Sequence, residues 1–142
     1  MIPWWRTDFG ERDISAVSSA ISDRNISQGR VTRFFEQALT ERLGVPYVVC
    51  TSSGTTALTM ALLAVNVKKG YHIAVPNRTW IATAHAVMMA GAVPILVDVG
   101  IYGTMDMGAF YRLAGKDRLL DGSIPVHLNG RMAGTPWGPN VI

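Results

Sequence analysis

From residue 46 onward the sequence alternates short runs of strand formers with longer runs of helical character, and this order constrains the fold more than any other feature. The strand-like runs are residues 47–50, 72–75, 93–97 and 124–128, and the helical ones are 55–65, 80–89 and 107–113. Strands separated by helices cannot close as tight hairpins, because antiparallel neighbours need only a short turn whereas parallel ones need a crossover. The pattern predicts a three-layer α/β domain, a mostly parallel sheet with helices on both faces. Residues 55–65 are apolar on nearly every side, which predicts a helix buried between layers.

Two amphipathic helices precede this alternation. Ile14, Val17 and Ile21 recur at helical spacing over residues 11–23, with Asp8 placed to cap the start and Asn25 near the end. After the loop Ile26-Ser27-Gln28-Gly29, a second apolar face uses Val31, Phe34, Phe35, Ala38 and Leu39, and Gly44 is positioned to end that helix. Residues 100–122 show no pattern apart from 107–113. The tail, 131–142, is rich in Gly and Pro without periodicity and reads as irregular.

Composition excludes several classes. Hydrophobic residues make up 49% of the 142 residues and charged ones 16%, which excludes a disordered chain. The net charge of +3 comes from scattered Lys and Arg, not from the basic stripe a nucleic-acid binder carries. The single Cys50 supplies neither a disulfide nor a metal-ligand set and fits a reducing cytoplasm. The N-terminus lacks a signal-peptide pattern. The apolar stretches 57–67 and 84–99 are short or broken by Gly91 and Pro94, so no membrane span is expected.

Two segments carry chemistry. Val48-Val49-Cys50-Thr51-Ser52-Ser53-Gly54-Thr55-Thr56 runs from strand through a small-residue turn to a helix N-terminus. The first amides of a helix have no intrahelical partner and the dipole is positive there, so the segment is an anion site in outline. Gly54 would let a phosphate approach the backbone, and Thr55 and Thr56 add hydroxyls. The plainer alternative is that Ser52 or Ser53 caps the helix and Gly54 relieves a tight turn. Neither a Walker loop nor a Gly-x-Gly-x-x-Gly fingerprint is present. In the second segment, Val75-Pro76-Asn77-Arg78-Thr79-Trp80, a strand ends at proline and an indole follows. Ligands gather at the carboxyl ends of parallel strands, so Trp80 is expected on the same edge as Gly54, either stacking on a planar ligand or filling the strand–helix junction.

Taken in order, these segments resemble the DegT/DnrJ/EryC1/StrS aminotransferase family. The resemblance runs from about residue 2 to residue 130. It is carried by Ser27-Gln28-Gly29 before Phe35-Glu36, Ser53-Gly54-Thr55 with Ala57-Leu58, and Pro76, Thr79-Trp80 and Ala82-Thr83-Ala84. Gly91-Ala92 with Pro94, Val97-Asp98 and Pro125-Val126-His127-Leu128 with Gly130 complete it.

The resemblance implies part of the large domain of a fold-type-I pyridoxal-phosphate enzyme, residues 1–130, followed by the tail 131–142. It implies transfer of an amino group from glutamate or glutamine to a nucleotide-linked keto sugar, by a homodimer. Gly54, Thr55 and Thr56 would hold the cofactor phosphate, Trp80 would stack on the pyridine ring, and the loop at residues 27–29 would lie near the entrance to the site. A sugar dehydratase of the same family and a non-catalytic phosphate- or nucleotide-binding module are the alternatives.

The family's later aspartate and its Schiff-base lysine find no matching context. Lys68, Lys69 and Lys116 read as surface charges, Asp98 and Asp106 stand in the wrong segments, and Tyr71 follows Gly70 where an acidic residue is usual. The expectation is therefore a cofactor cradle without turnover of its own. The strand at 47–50 is expected to lack its neighbours, leaving exposed edges. His72, His85 and His127 read as structural, with His127 nearest the ligand edge. Arg6, Arg30, Arg33 and Arg78 read as surface residues, and Cys50 as a small buried one.

Overall fold

The apolar spacing at the start of the chain forms two helices. In the computed structural model, which describes residues 6–115 and 120–134, α1 spans Glu11–Ser22 and α2 spans Arg30–Leu43. Asp8 is not the cap of α1. Gly10 stands there, and its amide donates to Asp13 Oδ2 at 2.8 Å, so the carboxylate that neutralises the helix start comes from inside the first turn. Gly44 ends α2 in the left-handed conformation, φ 65°, as a glycine after the last periodic residue should.

The chain divides into two units, residues 1–50 and residues 51–142. The first holds α1, α2 and the extended segment at 47–50. That segment pairs with no strand among the described residues. Instead the Cys50 amide donates to Glu36 Oε1 at 2.8 Å, tying its end to α2. Strand formers without a neighbouring edge have no ladder to join, so propensity alone leaves them extended and unpaired.

The second unit contains α3 (Gly54–Ala64), β1 (His72–Pro76), α4 (Ala82–Met89), β2 (Val93–Val97), α5 (Met107–Ala114) and β3 (Gly122–Ser123). Its sheet is parallel in the order β2-β1-β3, with His72 opposite Val93, Pro76 opposite Val97 and Ile73 opposite Gly122. This order puts Pro94 on an edge strand, where its missing N–H costs no ladder bond. The expected strand at 124–128 forms earlier and shorter. Ile124 still donates to the Ala74 carbonyl at 2.9 Å, and the paired register ends at Ala74 opposite Ser123.

β1 is buried on both faces and sorts its side chains by alternation. Ile73 and Val75 pack with Leu62 of α3, Ala86 and Val87 of α4, and Val67, Ala92 and Ile124. Ala74 packs in the opposite cluster with Val97, Met105 and Phe110 of α5. Helices therefore cover both faces, as the alternation of elements predicts. Leu62, Ile73, Val75 and Val87 are fully buried, each contributing roughly 1.5–3 kcal/mol of transfer free energy.

Candidate functional site

All the candidate cofactor residues lie in the second unit. Ser53, in extended conformation, caps α3: its Oγ accepts the Thr56 amide at 3.2 Å, and its carbonyl accepts the Ala57 amide at 3.0 Å. Ser53 Oγ also lies 3.0 Å from Thr56 Oγ1, Ser52 Oγ lies 3.4 Å from the same hydroxyl, and Thr51 Oγ1 donates to the Ser53 carbonyl at 3.0 Å. Of the three amides expected to face an anion, that of Thr56 is thus occupied by the cap. Among the described residues the Gly54 and Thr55 amides engage no acceptor.

Gly54 does not relieve a tight turn. It is the first residue of α3 and avoids the left-handed region, and a Cβ built on it would meet no atom within 4 Å. The glycine leaves an open approach to two unengaged amides at the positive end of an eleven-residue helix.

Topology sets the relation to Trp80. The seven residues 65–71 lead from the end of α3 to the start of β1, and five more, 77–81, lead from the end of β1 to α4. α3 and α4 pack on the same face of the sheet, so both begin at its carboxyl edge. Trp80 precedes α4, where its carbonyl accepts the Thr83 amide at 3.0 Å, while a hydroxyl contact of 3.0 Å joins Thr79 and Thr83. Its backbone is held, yet the residue is 79% exposed, so the indole does not fill the strand–helix junction.

The remaining polar residues divide plainly. His127 Nδ1 accepts the Ala133 amide at 3.0 Å, which places its proton on Nε2 when the ring is neutral and makes it a fastener of its loop. His85, Lys68, Lys69, Arg6, Arg30 and Arg33 are exposed; Lys116 lies outside the described residues. Asp98 accepts from Asn77 Nδ2 at 2.8 Å, and Asp106 caps α5 by accepting the Ala109 amide at 3.0 Å. Gln28, Gly29, Thr32, Arg33 and Glu36 line a cleft of about 200 Å³ in the first unit. Partial burial, then the charge of Glu36 and a hydrogen bond with it, hold the Cys50 thiol above its usual range. No group of side chains suited to a metal ion occurs among the described residues.

Two features escaped the sequence reading. The bond from Cys50 to Glu36 joins positions fourteen residues apart, and no local pattern announces it. Arg78 and Arg131 converge on one turn, Tyr102-Gly103, from two different strand ends. Only a glycine in an otherwise unreadable stretch hinted at that turn.

Comparison with known proteins agrees with this architecture. The family model of the DegT/DnrJ/EryC1/StrS aminotransferase family matches residues 7–137. Among solved structures, Spr1654 from Streptococcus pneumoniae, assigned as a sugar aminotransferase and solved in its PMP-form, superposes with a TM-score of 0.81 at 28% identity. That match covers 93% of this chain and 33% of the other. A DegT DnrJ EryC1 StrS aminotransferase from Brucella abortus is 32% identical, with a TM-score of 0.72 over 86% of this chain and 34% of its own. NtdA from Bacillus subtilis, solved with bound cofactor PMP, is 28% identical, with a TM-score of 0.72 over 81% of this chain and 26% of its own. The chain spans about a third of the length of the solved relatives it matches. With the fold, the order of motifs and the family match in agreement, the chain belongs to the DegT/DnrJ/EryC1/StrS aminotransferase family.

Proposed function

We propose that these residues form the cofactor-cradling part of a pyridoxal-phosphate-dependent aminotransferase acting on a nucleotide-linked keto sugar, with glutamate or glutamine as amino donor. The observation that carries the reading is the start of α3: two unengaged amides beside a glycine whose missing side chain leaves the approach open. The exposed indole of Trp80 belongs to the same sheet edge. Those features fit a dianionic phosphate joined to a flat aromatic ring.

Pyridoxal phosphate, when bound, supplies the electron sink that lets an amino group move between donor and acceptor. The chain's own residues bind and orient it. The Gly54 and Thr55 amides and the Thr56 hydroxyl hold the phosphate. The bond from the Thr56 amide to Ser53 Oγ keeps the helix start in one conformation, so little ordering is needed on binding. Trp80 covers one face of the ring and restricts its tilt. We assign no cofactor-linking lysine within residues 1–142. The working assembly is read as a homodimer in the cytoplasm, where a lone reduced Cys50 is at home.

Titration of the chain with pyridoxal phosphate, followed by tryptophan fluorescence and calorimetry, tests the reading. Saturable binding that Gly54→Ala weakens at least tenfold and Trp80→Ala weakens about tenfold is expected, in line with a lost phosphate approach and a lost stacking contact. Binding that neither substitution alters would sink it.

A further inference from the structure

Beyond the cradle, the carboxyl edge of the sheet carries a pair of cationic groups. Arg78 follows β1, Tyr102 and Gly103 lie in the loop after β2, and Arg131 lies in the segment after β3. Arg78 Nη1 stands 3.1 Å from the position a Cβ of Gly103 would take, and Gly103 adopts φ 78°, a backbone open to glycine. Arg131 Nη1 donates to the Tyr102 carbonyl at 3.1 Å. The carbonyl oxygen and the Cβ position are four bonds apart, so the two guanidinium nitrogens are separated by at most about 12 Å. Each guanidinium has five N–H donors, and among the described residues Arg131 uses only this one bond and Arg78 none. Asp98 accepts from Asn77 and Asp106 caps α5, and neither arginine forms an ion pair among the described residues.

We propose that Arg78 and Arg131, brought together on the Tyr102-Gly103 turn, form a second anion subsite that takes the diphosphate of a nucleotide-linked substrate. The inference rests on the aminotransferase reading for its substrate class and extends it by naming the residues that grip the substrate's charge. Two forked cations on the Tyr102-Gly103 turn suit a diphosphate, which offers oxygens to both at charge-assisted distances of about 2.8 Å. The exposed arrangement makes the grip sensitive to salt.

The test uses the intact 142-residue chain, saturated with pyridoxal phosphate and titrated with inorganic pyrophosphate by calorimetry and amide NMR. Saturable binding is expected, with shifts at the Tyr102, Gly103 and Arg131 amides. Arg78→Gln and Arg131→Gln should each weaken it about tenfold and leave pyridoxal phosphate affinity unchanged. The NMR shifts are read on the unaltered chain, so the outcome does not depend on the variants folding. Three results overturn the proposal: no pyrophosphate binding, shifts confined to residues 54–56 with displacement of pyridoxal phosphate, or wild-type affinity in the double variant. Arginine-dependent pyrophosphate binding in a chain that fails to bind pyridoxal phosphate would support this subsite and reject the cofactor reading alone.

Discussion

Ile14 of α1 and Ile73 of β1 are the same side chain in two settings, the first 64% exposed and the second fully buried. The contrast extends to their units. In residues 1–50, neither α1 nor α2 buries a single residue; Val17, Ile21, Phe34 and Phe35 are all more than half exposed. In residues 51–134, a short central strand is covered on both faces by clusters drawn from three helices. The two regions therefore hold apolar patterns of similar legibility and reach opposite degrees of burial. Periodicity identifies which face of a helix needs a cover. Whether a cover exists depends on elements far away in sequence.

Paired substitutions break or sharpen this contrast. Ile73→Ala should cost about 2–5 kcal/mol, because it removes buried methylenes and leaves a cavity, while Ile14→Ala should stay within about 0.5 kcal/mol; thermal melts followed by circular dichroism compare them directly. Equal losses would show that α1 is buried in solution. Two glycines of the second unit give the next largest difference. Gly103→Ala should destabilise by roughly 1–2 kcal/mol, since it demands a left-handed alanine pressed against Arg78. Gly54→Ala should leave the melt nearly unchanged, its cost appearing in cofactor affinity. Ser53→Ala should lose about 1 kcal/mol through the cap of α3.

The smallest effect belongs to the first unit. Cys50 should react with iodoacetamide more slowly than a free cysteine at pH 8, because a raised pKa leaves less thiolate. Glu36→Gln should quicken it by removing the carboxylate charge. A Cys50 that alkylates at the rate of a free thiol, with no change on Glu36→Gln, would mean that α2 does not hold this segment.

The helices, the parallel sheet and the turn–helix outline around Gly54 were determined by the sequence itself, because they follow from local periodicity, caps and turn residues. Gly44 ended α2 where a glycine after the last apolar position should, and Ser53 proved to be the cap that the small-residue turn suggested. Only the tertiary structure decided the rest. Residues 47–50 have the composition of a strand, but pairing requires an edge that composition does not supply. Residues 124–128 read as a strand, yet the register against β1 placed the ladder earlier, at residues 122–123. The amide of Thr56 belonged to the cap, leaving two donors where three were expected, and Trp80 stood exposed where the segment by itself read more readily as a junction filler. Arg78 and Arg131 met on one turn because three parallel strands end on a common edge, a proximity set by sheet order and invisible to any local pattern.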